Sequence, residues 1–169
     1  MLDDCALVVL VLAEVSEFDA GRRSVMTTLD EIDRAILDEL RRDARASMTA
    51  LADAVHISRA GAHARIRRLT DAGVITGYTV RTDPAKLGHH ASAYVTLAIE
   101  QASWQLVQDR LRAIPEIEHM ALVGGDFDVI LLVRANDARD LRRIVLEDIQ
   151  AIPSIRTTRT TLIFEDFER

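Results

Sequence analysis

Two short segments of this chain echo each other: Ala113-Ile114-Pro115-Glu116-Ile117 returns as Ala151-Ile152-Pro153-Ser154-Ile155, 38 residues later. In each copy an amphipathic stretch ends, a proline blocks its continuation, and a strand-like run begins. A helix that hands over to a strand twice in the same way points to a doubled βαβ unit, and the surrounding pattern agrees. Residues 91–100 alternate as a strand containing Tyr94, and Trp104, Val107, Leu111 and Ile114 recur at helical spacing. Residues 117–123 and 129–133 read as apolar strands on either side of Gly124-Gly125-Asp126-Phe127-Asp128. Asp137 or Asp140 opens another helix carrying Leu141, Ile144, Val145, Leu146 and Ile149, and residues 154–164 form a last β-branched strand. The order β-α-β-β-α-β is the ferredoxin-like arrangement.

The first half follows the helical period. Leu29, Ile32, Ile36, Leu37 and Leu40 make one apolar stripe, and Thr28 with Glu31 matches a capping box. Asp30, Glu31 and Asp33 suit the positive end of that helix, and Arg41, Arg42 and Arg45 the negative end. A second helix starts at Ser47 or Thr49 and carries Leu51, Ala52 and Val55. After the tight connection His56-Ile57, Ser58 caps a third helix that runs to about Ala72 and stops at Gly73. On it Ala62, Ile66 and Leu69 face inward, while Arg59, His63 and Arg67 share another face. Two short helices, a tight turn and a basic outward face make a helix-turn-helix. Residues 74–82 read as a β-segment, and Asp83-Pro84 with Gly88 marks a hinge.

The expected fold is therefore α+β: a helix-turn-helix over residues 26–83, a hinge over 84–90, and a ferredoxin-like βαββαβ domain over 91–169. Residues 1–25 form an extension of unassigned role. Its nine-residue apolar run, residues 5–13, is too short to span a bilayer and follows an acidic start, unlike a secretory signal. Two readings stay open: Met26 is the natural start, or the run packs as a short element on a neighbouring subunit. The single cysteine, Cys5, excludes an intrachain disulfide and fits a reducing, cytoplasmic setting with no membrane contact.

A net charge of −6 argues against nucleic acid only until it is divided along the chain. Residues 26–83 balance nine acids with nine arginines. Within them, residues 56–81 set Arg59, Arg65, Arg67, Arg68 and Arg81 against Asp71 alone. Phosphate responds to that local charge, not to the total.

Several motifs in register resemble the Lrp/AsnC (feast/famine) family of transcriptional regulators. They are Leu29-Asp30-x-x-Asp33-x-x-Ile36-Leu37, Arg45-Ala46-Ser47, Leu51-Ala52, Ile57-Ser58, Arg65-Ile66-x-x-Leu69, Gly73-Val74-Ile75-x-Gly77-Tyr78 and Asp83-Pro84-x-x-Leu87-Gly88. The second half adds Ile114-Pro115-x-Ile117, Gly125-Asp126-Phe127-Asp128 and Thr160, so the resemblance covers residues 28–168. It implies that residues 26–83 form a winged helix-turn-helix and residues 91–169 an oligomerisation and effector-binding domain, in a sequence-specific regulator of double-stranded DNA whose homodimers commonly stack into octamers. It also implies an amino acid or related metabolite bound between dimers near residues 124–128.

On this reading Arg59, His63 and Arg67 face the DNA groove, and Ser58 at the helix start reaches phosphate. Arg65 occupies the family's recurrent arginine position but points off that face, as a phosphate or salt-bridge group. Arg68 and Arg81 are further phosphate candidates. In the loop, Gly124 and Gly125 admit close approach to backbone amides, and Asp126, Phe127 and Asp128 complete the effector set. The aspartates suit an ammonium and the amides a carboxylate, although a plain hairpin turn uses the same residues. The family often has Thr or Ser where this chain has Gly124. No residues carry metal spacing, a phosphate-binding glycine loop or a nucleophile elbow, so no enzyme, metal or cofactor is expected. The competing reading is a metabolite-binding or assembly protein that does not bind DNA.

Overall fold

The computed structural model describes residues 28–100 and 103–166; the apolar run around Cys5 and the choice of start at Met26 lie outside them. The chain divides between Arg81 and Thr82 into two compact units.

The first unit holds α1 (Glu31–Arg42), α2 (Met48–Ala54) and α3 (Arg59–Asp71). Their apolar faces meet in a core of Ile36, Leu40, Leu51, Leu69 and Ile75, with Ile32, Val55, Ile57 and Ile66 packed around it. The capping box expected of Thr28 and Glu31 falls elsewhere. Asp30 is the cap, accepting from the Asp33 amide at 2.8 Å while Asp33 accepts from the Asp30 amide at 3.1 Å. A carboxylate pair also complements the helix dipole, which a threonine cannot do. The β-segment expected over residues 74–82 does not form a strand. Branched residues alone do not make one, because a strand needs a ladder partner, and none faces these residues among the described elements.

The second unit begins with a single 3-10 turn, Ala85–Leu87, closed by Gly88 at φ 90°. Four antiparallel strands follow: β1 (Ala91–Ile99), β2 (Ile117–Leu122), β3 (Val129–Ala135) and β4 (Ile155–Ile163), in the spatial order β2-β3-β1-β4. With α4 (Trp104–Arg112) after β1 and α5 (Ala138–Arg143) after β3, the connectivity is that of the expected βαββαβ fold. Period-two alternation puts Ala93, Val95 and Leu97 opposite Val133, Leu131 and Val129, and these six are fully buried. Val107 and Leu111 of α4 and Leu141 of α5 close over that face, with Trp104 partly buried against the cluster. Both copies of the internal echo do the same work, each passing the chain from a helix to a strand: the Ile117 amide donates to Ile114 and the Ile155 amide to Ile152.

The second helix departs from simple α-periodicity. After α5 the turns widen over Ile144–Ile149, and the Gln150 amide donates to Val145, five residues back. In an α-helix Ile144 and Ile149 would stand about 140° apart. The wider turn brings both into the core, where each is fully buried.

On the opposite sheet face one charge is buried. Arg134 of β3 is 8% exposed. Its Nε donates to Glu118, Nη1 to the Ser92 hydroxyl at 3.0 Å and Nη2 to Asp166 at 3.0 Å. Glu118 reaches it because the β2–β3 register shifts between Ile117 and His119, a bulge that re-aims the intervening side chain. The network ties β1, β2, β3 and the segment after β4 together. Replacing Arg134 with alanine unties the network, and because Glu118 and Asp166 are both more than a third exposed and regain water the cost is expected to be about 1 kcal/mol. Denaturant unfolding followed through Trp104 fluorescence measures this directly.

Candidate functional site

The turn between α2 and α3 decides how α3 is presented. Val55 ends α2, His56 takes a left-handed conformation at φ 55°, and the Ile57 amide donates to Ala52 at 2.9 Å while that of His56 donates to Asp53. This is a Schellman closure with histidine where glycine is usual, at a cost of about 1 kcal/mol. Ile57 then packs on the core and Ser58 caps α3, its hydroxyl accepting from the Gly61 amide at 3.1 Å. A Cβ at Gly61 would stand 3.2 Å from that hydroxyl, so a side chain here would press on the cap. Gly61 weakens the helix interior by ~1 kcal/mol against alanine and leaves the cap room. The far end closes in the same manner, with Gly73 at φ 70° and the Val74 amide donating to Leu69.

On α3 so fixed, Arg59, His63 and Arg67 are all exposed. Arg67 is held only loosely, 3.7 Å from Asp71. With Ala60 and Ala64 beside them, His63 and Arg67 line an open depression along the helix, which Arg68 and Asp71 also border. Small residues flanking a few long polar ones suit a helix that must lie deep against a partner surface.

Arg65 and Arg68 are placed differently. Arg65 Nη1 donates to Asp30 at 2.6 Å and to Asp33 at 2.8 Å, and Arg68 Nη2 donates to Asp33 at 2.5 Å. Asp33 is fully buried. Burial pushes its carboxyl up, but hydrogen bonds from Arg68, Arg65 and the Asp30 amide outweigh that and hold it down at about 2. Arg65 and the Asp33 amide lower Asp30 as well, and the two carboxylates raise Arg65. The sequence left Arg65 open between phosphate and salt bridge, and here it is in a salt bridge. Asp33 was legible only as a helix-dipole acid; its position three residues after a capping aspartate, facing paired arginines, emerges from packing. Arg81 lies exposed in the segment after α3, where no regular element forms.

The loop after β2 is pinned at one residue. The Asp128 amide donates to Leu97 at 2.8 Å, its carbonyl accepts from Val123 at 2.8 Å, and its Oδ2 accepts from the Ile99 amide at 2.7 Å. That last bond falls where the β1–β4 register shifts between Ala98 and Ile99. Asp128 thus spends part of its carboxylate on the sheet. Gly124, Gly125 and Asp126 stand exposed and Phe127 is half-buried, with Gly125 at φ 131° and open space where a Cβ would be. Among the described residues no group of three His, Cys, Asp or Glu side chains converges on a metal-sized site, and no helix is long and apolar enough to cross a membrane.

A helix-turn-helix with a basic exposed third helix, joined to a βαββαβ domain, defines a two-unit DNA-binding regulator. Residues 29–76 match the model for winged helix-turn-helix DNA-binding domains, and residues 92–169 that of the Lrp/AsnC ligand binding domain. The chain is 36% identical over 140 residues to the HTH-type transcriptional regulator AldR of Mycolicibacterium smegmatis, covering 81% of this chain and 82% of that one. Among solved structures, the feast or famine regulatory protein of M. tuberculosis complexed with L-methionine is 36% identical, covers 84% of this chain and 96% of its own, and superposes with a TM-score of 0.77. E. coli AsnC shares the fold at 23% identity and a TM-score of 0.77, covering 85% and 97%. The chain belongs to the Lrp/AsnC family of transcriptional regulators.

The depressed Asp33 fixes the sign of one pH effect. A carboxylate lowered by folding stabilises the native state above its unfolded value of 3.8, and that contribution fades as pH falls through the folded value. The helix-turn-helix unit is therefore expected to lose stability progressively from about pH 4 to pH 2. Far-UV circular dichroism melts across that range test this, and Asp33→Asn is expected to flatten the dependence.

Proposed function

We propose that this regulator reads operator DNA through α3 and responds to an amino acid or a related small metabolite held near residues 124–128. The observation that carries the DNA half is the exposed Arg59–His63–Arg67 face on a helix capped at both ends. Ser58 stands at its start, the end of a helix that favours phosphate. Arg59 and Arg67 are the cations we assign to DNA, with His63 at a base edge and DNA shape adding selectivity on so small-featured a helix. Arg81 is a further phosphate candidate.

The effector half draws on the M. tuberculosis relative that was solved with L-methionine and on the exposed Gly124-Gly125-Asp126 turn. In this reading the glycine amides hold the carboxylate and Asp126 the ammonium, while Asp128 braces the loop. Gly124 offers no hydroxyl, so the amides carry more of the recognition. We further propose that the chain acts as a homodimer, stacking into octamers, in the cytoplasm and without catalysis. The sheet face bearing Tyr94, Ile130, Leu132 and Ile163 supports self-association, because those side chains are only partly buried within one chain. A two-fold assembly presents two α3 helices to half-sites about one helical turn, or a multiple, apart.

Two measurements test these halves. Titrated against a duplex from upstream of its own coding region, wild type is expected to bind with affinity that falls steeply with salt. Arg59→Ala/Arg67→Ala should lose at least tenfold at moderate salt. Equal binding by the double variant would put the reading face elsewhere, and no salt-dependent binding by wild type would favour an assembly protein. In a thermal-shift screen of the common amino acids, one or more is expected to raise the melting temperature, and Asp126→Ala to abolish the shift. A flat screen would leave the loop as a hairpin turn alone.

A further inference from the structure

Asp33 lies on α1, outside the face assigned to DNA, yet its carboxylate is fully buried and accepts three hydrogen bonds. We propose that it acts as a specificity-determining positioning residue: its buried carboxylate withholds Arg65 and Arg68 from phosphate and fixes the seating of α3. This rests on the reading of α3 as the DNA-facing helix.

Of the four arginines on α3, two are claimed internally. Arg65, 27% exposed at its side chain, is shared between Asp30 and Asp33, and Arg68, 46% exposed, ends on Asp33. Both Asp33 oxygens are occupied, Oδ1 by Arg65 and Oδ2 by Arg68 and the Asp30 amide. The two aspartates match the two arginines in charge, so Arg59 and Arg67 carry the cationic character of the reading face.

The geometry also sets aim. Arg65 and Arg68 sit one turn apart on α3, and a single carboxylate at the start of α1 takes both. Rotating α3 about its own axis, or sliding it along, would strip at least one arginine from a carboxylate that has no solvent to replace it. Half-exposed Arg68 is the one that could swing outward. Freed, it would add a phosphate contact that any sequence satisfies, because phosphate contacts carry no base information. Asp33 therefore exchanges non-specific affinity for a fixed register.

The test uses the full chain and two duplexes, one from upstream of its own coding region and one of scrambled sequence, titrated at several salt concentrations. In Asp33→Asn, which keeps an oxygen for the Asp30 amide, the slope of log affinity against log salt on scrambled DNA is expected to steepen by about one per chain. The ratio of upstream to scrambled affinity is expected to fall about tenfold, the order of one lost base contact. Adding Arg68→Ala to Asp33→Asn should return the slope to the wild-type value. Arg68→Ala alone should leave it unchanged, and this variant decides the matter if Asp33→Asn does not fold. A wild-type slope and ratio in Asp33→Asn, or a shallower slope in Arg68→Ala alone, would overturn the proposal while leaving DNA binding by α3 intact. Absence of salt-dependent binding by wild type would instead bring down the DNA-binding reading, and this inference with it.

Discussion

A carboxylate removed from water stays ionised only if donors replace the lost solvent, and around Asp33 those donors come from a different helix. Arg65 and Arg68 arrive from α3, some thirty residues along the chain, and the Asp30 amide supplies the rest. Apolar contacts among Ile36, Leu40, Leu51 and Leu69 drive the three helices together, but such contacts are non-directional and tolerate small rotations. The ionic bonds do not. They give α3 a defined pitch, and everything its outer face can do depends on that pitch.

The helix-turn-helix was legible because its signals are local. Ser58 and Gly73 bracket α3 and the apolar stripe of α1 has the right period, so the elements followed from caps and spacing. What could not be read was how charges pair across helices. Arg65 and Arg68 look alike to Arg59 and Arg67 in sequence, and only packing gives the first two a bond to Asp33 and leaves the other two without one. The same limit applies to residues 74–82, whose branched side chains suggested a strand. Pairing is a property of two segments, and no described strand stands beside this one. In the second unit the alternation of Ala93, Val95 and Leu97 and the two proline stops set out the sheet and its helices. The widened turns at Ile144–Ile149 escaped, because an apolar cluster such as Ile144, Val145 and Ile149 fits more than one helical pitch. Arg134 also escaped, since a lone charge in an apolar strand gives no sign of which partners will reach it.

The loop over residues 124–128 stands between these cases. Glycine and aspartate marked a turn and the turn is present, but its anchoring through Asp128 to β1 depends on a bulge that sequence does not reveal. The consequence is a division within five residues: Asp128 is committed to the sheet, while Gly124, Gly125 and Asp126 stand exposed. A loop held at one end and open at the other can change shape without disturbing the strands beneath it.

The scarcity of aromatic residues has a practical side. The chain has one tryptophan, Trp104, at the start of α4, partly buried against the core of the second unit. The three described helices of the first unit contain no Trp, Tyr or Phe, and Tyr78 beyond them is 59% exposed. Tryptophan emission is thus a built-in reporter for the sheet domain and nearly silent on the helices that carry the basic face. Signals that track whole-chain helicity and signals that track indole environment will part company wherever the two cores melt separately, and the gap between them measures how far one unit depends on the other.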